Sequence, residues 1–292
     1  MKAEDLVLFI LSHKSPNKCE TLDCLKKLNF KGKIYIIIDD EDDCIEEYKE
    51  KYKDNLLIFH KQKYRDEVDM GFSISGMPTY AHSVFGRNAA EDFAKSMRLD
   101  HYIISDDDVY NFNFRLMKGK SLPCIQVKDI NEPLLAYYEY MKEANLACVC
   151  PGTPNIYFGG IKAIQETGGL KRRAVTNFYL RNMNYDIKWS MSIDDYSTSI
   201  RYGVIGYLFL PLYPLQVMVR PQYTQKGGKK TGGMASYYAN TSSWTRSMPS
   251  FLACPSFVSI RLWKGNYIPF LKKNCSYPMI ISDKYHVGDE NG

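Results

Sequence analysis

Residues 103–110 read IISDDDVY, a short apolar run that ends in Asp106, Asp107 and Asp108. Three adjacent carboxylates repel one another, and crowding them at the end of a buried strand costs free energy. Two settings relieve that cost, a solvated turn or a bound cation. In an extended strand end, residues two apart share a face, so Asp106 and Asp108 are expected to point one way and Asp107 the other. Two carboxylates on one face suit a hard divalent ion, Mg²⁺ or Mn²⁺, which takes oxygen ligands and keeps positions open for phosphate. An ion held there would neutralise a diphosphate leaving group as a Lewis acid.

The elements around the triplet decide between turn and cation. LVLFILSH (6–13) is a continuous apolar run that fits a strand buried on both faces. Leu22, Leu25 and Leu28 then mark one face of a helix, and Gly32 precedes a second strand, KIYIII (33–38). That strand runs into DDEDD (39–43), a charged helix IEEYKEKY follows, and LLIFH (56–60) is a third strand. Phe85, Ala89, Phe93 and Met97 recur at four-residue spacing, an amphipathic helix that delivers the chain to HYIIS (101–105). Strands alternating with helices predict an α/β fold with a mostly parallel sheet and right-handed crossovers. Ligands of such sheets bind beyond the carboxyl ends of the strands. His13, Asp39–Asp43, His60 and Asp106–Asp108 all stand at such ends, so four strands are expected to bring them to one edge.

Further on, a helix is expected from Pro133 to Ala144, a strand at LACVC (146–150) and a helix over SIDDYSTSIRYG (192–203). The strand IGYLFLPL follows. Beyond Gln216 the pattern loosens into QKGGKKTGG (225–233) and an aromatic-rich tail. The stretch is not a phosphate loop of the G-x-x-x-x-G-K-T kind, because Tyr223 stands where its first glycine should be. Lys226, Lys229 and Lys230 could instead close over a diphosphate or grip a nucleic-acid backbone. Tyr237, Tyr238, Trp244 and Trp263 interleave with Arg246, Arg261 and Lys264 and offer stacking surfaces beside cations.

Composition narrows the class. Of 292 residues, 45% are hydrophobic, ample for a folded core. There is no run of about 18 apolar residues, and MKAEDLVLFILSH carries acids where a secretion signal would be basic. The expectation is a soluble cytoplasmic protein with no membrane segment, in the host cytoplasm if the source is viral. Eight scattered cysteines without zinc-finger spacing fit reduced thiols. The net charge of +5 is uneven: residues 216–292 hold 10 Lys and Arg against 3 Asp and Glu, whereas the first 215 hold 28 against 30. That split suggests a cation near the first half and an anionic partner near the last.

LVLFILSHKSP, KIYIIIDD, the helix carrying Arg87-Asn88-Ala89, YIISDDDV and SIDDYSTSIRYG together resemble the ordered elements of GT-A fold glycosyltransferases, over about residues 5–215. KKTGGM (229–234) and the tail are similar to the branch associated with TET/JBP oxygenases. That branch includes the glucosyltransferase that makes base J and phage enzymes that decorate hydroxymethylated pyrimidines.

The resemblance implies a GT-A-like single domain over 1–292, with a nucleotide-sugar-binding half (1–110), an acceptor half (111–215) and a basic aromatic region (216–292). It implies that Asp106 or Asp107 faces the ribose and that Asp108, with Asp106, binds Mn²⁺ or Mg²⁺, with His286 as a further ligand. Ser12, His13, Asp39, Asp40, Arg87, Asn88, Lys229 and Lys230 would line the donor, a UDP-sugar such as UDP-glucose. Asp194 and Asp195 match the acidic pair around the acceptor, and Asp195 is expected to take the acceptor hydroxyl proton. The family prefers Glu at the first of these positions, where this chain has Asp194, which is also suited to cap the helix. The implied reaction is hexosyl transfer to a hydroxyl, with hydroxymethylpyrimidine in DNA as the expected acceptor. Two readings stand beside it: transfer to protein or polysaccharide, and a nucleic-acid-binding module that kept the fold and lost catalysis.

Overall fold

The computed structural model describes residues 1–68, 83–157, 159–167, 177–190, 194–220, 242–263 and 265–272. The amino-terminal part alternates strand and helix: β1 (Val7–Leu11), α1 (Glu20–Lys27), β2 (Lys33–Asp39), α2 (Ile45–Tyr52), β3 (Leu56–Phe59) and α3 (Lys61–Glu67). Then come α4 (Ser83–Ser96), β4 (His101–Asp106), β5 (Val109–Phe114), β6 (Ile125–Gln126), α5 (Asn131–Glu143) and β7 (Cys148–Gly152). The order closes with α6 (Gly160–Thr167), β8 (Phe178–Asn182), α7 (Asp194–Val204), β9 (Phe209–Val219), α8 (Ser243–Ala253), β10 (Val258–Trp263) and β11 (Asn266–Leu271).

Nine strands form one sheet in the order β3-β2-β1-β4-β8-β7-β9-β5-β6. From β3 to β4 every pairing is parallel, as the alternating pattern predicts. Beyond β4 the sheet is mixed. β8 runs antiparallel to both β4 and β7, β9 is parallel to β7, and β5 is antiparallel to β9. The parallel run therefore ends at β4, where the carboxylate triplet stands.

The continuous apolar run of β1 is explained by burial on both faces. Leu8 and Ile10 join a core with Leu25 of α1, Tyr48 of α2 and Leu134 of α5. Val7 and Phe9 join the opposite core with Tyr64 of α3 and Phe85, Ala89, Ala90 and Ala94 of α4. The small residues of α4 let it lie close to the sheet. A side chain at Gly86 would meet Leu11 at 3.0 Å, so this glycine seats α4 directly over the end of β1. The three layers fix the strand ends as one rigid edge.

Candidate active site

β1 and β4 are neighbours in register, with Leu11 opposite Asp106, so the residues that follow each strand meet. Ser12 Oγ donates to Asp107 Oδ2 at 2.9 Å, and Ser15 Oγ lies 3.1 Å from the same oxygen. Tyr48 of α2 backs this pair, its hydroxyl 2.8 Å from Ser12 Oγ and accepting the Ser15 N–H at 3.1 Å. Burial pushes the Asp107 carboxyl up to about 6 even though the two hydroxyls pull it down.

The extended backbone stops at Asp106, and Asp107 and Asp108 form a turn into β5. The two-residue alternation expected of a strand end therefore does not govern where Asp108 points. The turn is held by its backbone. Thr21 donates its hydroxyl to the Asp106 carbonyl at 2.6 Å and its N–H to the Asp107 carbonyl at 3.2 Å, and Arg220 N–H reaches the Asp108 carbonyl at 3.1 Å. Asp108 Oδ1 is buried without a hydrogen-bond partner. Burial, then the charges of Asp106 and Asp107, push its carboxyl up to about 8. Asp106 is more open: Asn177 donates to its Oδ2 at 2.9 Å and the Arg87 guanidinium stands 4.0 Å from Oδ1.

The end of β2 carries a second acidic group. Asp39 is buried between Lys61 Nζ, which donates to Oδ1 at 3.1 Å, and His13 Nδ1, 3.3 Å from Oδ2. Burial raises its pKa, but His13 and Lys61 outweigh that and hold it below the ordinary carboxylate value. His13 Nδ1 is equally 3.3 Å from Asp42, whose Oδ2 accepts the Lys14 N–H at 2.7 Å. Asp40 faces β3 instead. It accepts the Lys61 N–H at 2.9 Å and lies 2.9 Å from His60 Nδ1.

α4 joins this edge to the segment that precedes α7. Arg87 is buried, with its guanidinium 5.4 Å from the centre of the Trp189 ring and 5.9 Å from that of Tyr179. Asn88 commits its amide to the fold, donating to the carbonyls of Val84 and Trp189 and accepting the Trp189 N–H at 3.1 Å. Beneath it, Glu91 holds the fully buried Arg181 at 2.7 and 3.2 Å and also accepts Tyr102 OH at 2.9 Å and Trp189 Nε1 at 3.3 Å. Ser190 then fastens this segment to α7, through Thr198 Oγ1 at 3.4 Å and the Ser197 hydroxyl at 3.2 Å. Asp195 stands half-buried in the first turn of that helix, its carbonyl accepting the Ser199 hydroxyl at 2.5 Å.

Ser12, Asp106, Asp107 and Arg87 thus meet at the β1–β4 edge, with His13, Asp39 and Asp40 at the neighbouring ends of β2 and β3. Asp195 is linked to Arg87 through the 187–190 segment. Lys226, Lys229, Lys230 and His286 lie outside the described residues, as does the side chain of Asp194. Among the described residues no group of three or more His, Cys, Asp or Glu is arranged to hold a metal ion. Several residues of the site carry no sequence signal on their own: Ser15, Thr21, Tyr48, Lys61 and Asn177. Each lies far along the chain from the carboxylate it serves, so only the topology brings them together.

A family model described as TET-Associated Glycosyltransferase matches residues 6–228. The chain belongs to this family. No curated protein gives a significant match. A TET-associated glycosyltransferase takes a sugar from a donor and passes it to an acceptor, so the polar edge just described belongs to an enzyme. The matched residues span β1 to β9 and end before α8, β10 and β11. No described helix is long and apolar enough to cross a membrane.

Proposed function

We propose that this glycosyltransferase moves a hexose from a nucleotide diphosphate sugar, a UDP-sugar, to the hydroxyl of a hydroxymethylpyrimidine in DNA. The observation that carries the donor half is Asp108 Oδ1, a buried carboxylate oxygen without a partner beside two further acids. A buried carboxyl oxygen left without a partner is expensive in a folded protein unless a ligand completes it. Asp106 and Asp108 would hold a hard divalent ion, Mn²⁺ or Mg²⁺, which takes oxygen ligands. Such an ion would supply the charge that a departing diphosphate needs.

The chain's own residues do the rest. Ser12 and Ser15 fix Asp107 and so hold the turn that carries Asp106 and Asp108. His13, Asp39 and Asp40 line the nucleoside end, with Asp39 kept ionised by Lys61 and able to accept from a ribose or base. Arg87, stacked on Trp189, offers cationic charge next to Asp106, where the sugar diphosphate would lie. As the acceptor oxygen bonds to the anomeric carbon, the bond from that carbon to the diphosphate oxygen breaks and the hydroxyl proton passes to the Asp195 carboxylate. Asp195 stands in the first turn of α7.

The DNA acceptor rests on the association in the family's description and on the excess of cations after Gln216. A phosphate backbone accounts for that excess, whereas a neutral glycan acceptor does not. The test separates donor from acceptor chemistry. Asp195→Asn should bind the nucleotide sugar as the wild type does and lose transfer on the order of 10²-fold or more. Equal loss of donor binding and thermal stability would make Asp195 a structural group and remove this assignment.

A further inference from the structure

The chain contains no Asp or Glu from Tyr196 to Ser282, while ten Lys and Arg fall in that span. Part of it folds into α8 and the antiparallel ribbon β10–β11, beyond the residues matched by the family model. This unit is bound together by Ser247 donating to the Tyr267 carbonyl at 2.9 Å and by the Tyr267 N–H donating to Ser243 at 2.9 Å. It packs on α7, with Val258 of β10 against Ile200 and with Phe251, Cys254 and Phe257 around them. The ribbon is therefore carried by the helix whose first turn holds Asp195.

The ribbon tip is apolar yet open to solvent. Leu262 is 65% exposed, Trp263 54%, Trp244 48% and Tyr267 41%. Leu262 pairs with Tyr267 on one face of the ribbon, and Trp244 meets Tyr267 edge-on at 5.1 Å. Arg261 and Trp263 occupy the other face, two residues apart, with the Arg261 guanidinium 5.2 Å from the Phe270 ring. Exposed aromatic rings in a region with cations and no carboxylates match the demands of unpaired bases on a phosphate backbone: flat faces to stack on and positive charge to follow. A protein partner gives no reason for the absence of every acid.

Resting on the DNA acceptor reading above, we propose that the tip of β10–β11, together with Trp244, is a docking surface for single-stranded DNA. Trp263 stacks on an unpaired base while Arg261, on the same face, meets phosphate. Trp244 stacks on a further base where the strand passes round to the Tyr267 face, and the anchorage on α7 brings the strand to the acceptor side of the active site.

The test titrates a fluorescent single-stranded oligonucleotide, and its duplex, into wild-type protein, Trp263→Ala, Trp244→Ala and Arg261→Gln. Melting temperature and nucleotide-sugar hydrolysis serve as checks on folding. The expected result is preference for the single strand, an affinity loss of about five- to a hundredfold for each tryptophan variant, and a shallower salt dependence for Arg261→Gln. Hydrolysis should be unchanged. Variants that bind DNA like the wild type would overturn the surface and leave the DNA acceptor standing. A wild type that hydrolyses donor but binds no DNA would remove both. Equal loss of duplex and single strand would overturn base stacking, and a dimer dissolved by Trp263→Ala would assign the patch to a second copy of the chain.

Discussion

Ser12 Oγ stands 2.9 Å from Asp107 Oδ2, so the end of the first strand and the middle of the carboxylate triplet form one hydrogen-bonded unit. Ser15 adds a second hydroxyl to the same oxygen at 3.1 Å. This link gives the triplet its shape, because a carboxylate that is satisfied by fixed hydroxyls cannot swing to meet its neighbours.

Ser12→Ala removes one of two donors from a buried carboxylate and also leaves the Tyr48 hydroxyl short of a partner. The expected cost is about 1–3 kcal/mol of stability. Urea denaturation followed by circular dichroism measures it. A change within error would mean that Ser15 alone satisfies Asp107.

Asp108 Oδ1 is buried without a hydrogen-bond partner, a cost that the fold bears. In the absence of divalent ions, Asp108→Asn should raise the melting temperature at neutral pH, because burial holds this carboxyl protonated up to about 8 in the fold while the unfolded chain ionises it above about 3.8, a cost that Asn does not carry. Adding Mn²⁺ should stabilise the wild type more than the variant, by linkage. Scanning calorimetry with and without EDTA reads both effects. Equal stabilisation of the two proteins by Mn²⁺ would remove Asp108 from the ion site.

The Glu91–Arg181 pair lies wholly inside the fold and bears on the Trp189 segment through Glu91. Removing one charge leaves the other buried and alone, which costs about 3–5 kcal/mol. Glu91→Gln should therefore lower stability by that order and loosen the seat of Arg87. A loss below about 1 kcal/mol, measured by denaturant titration, would show that water reaches Arg181.

His101 at the start of β4 has both ring nitrogens buried without hydrogen-bond partners, and its ring lies 4.3 Å from that of Tyr138. Burial lowers its pKa below 6.5, with Asp100 and Asp5 pulling it up and the N-terminal amine pushing it down. The unfolded chain therefore takes up the proton first as pH falls. The associated stability is complete above the unfolded value of 6.5 and is lost as the pH drops below it. His101→Phe should remove this part of the acid destabilisation, seen as a smaller fall in melting temperature from pH 7.5 to 5.5. Parallel curves for the two proteins would contradict it.

The strands whose register sets the carboxylate edge are legible because a strand buried on both faces leaves an unbroken apolar run, as in LVLFIL and KIYIII. IEEYKEKY is likewise readable, and it coincides with α2. β8 is not. Its FYLRN ends in Arg181 and Asn182, which look like surface residues until Glu91, 90 positions away, turns the arginine into core. The sheet becomes mixed at that strand for the same reason: no local pattern announces an antiparallel neighbour for β4. The ribbon β10–β11 also escapes the pattern, because Arg261, Leu262 and Trp263 are all exposed and show no alternation of burial. Among the site residues, the carboxylates are visible from their spacing, whereas Ser15, Tyr48 and Asn177 are ordinary residues until the fold brings them to Asp106 and Asp107.

The most direct test of the account is transfer itself. Hydroxymethylpyrimidine DNA is incubated with a panel of nucleotide sugars, Mn²⁺ and either wild-type protein or Asp108→Asn, then digested to nucleosides and analysed by mass spectrometry. The account predicts a hydroxymethylpyrimidine nucleoside heavier by one hexose with the wild type, abolished by EDTA and by Asp108→Asn, and absent from unmodified DNA. Donor hydrolysis by the wild type without any hexose on DNA, or wild-type transfer by Asp108→Asn, would contradict it.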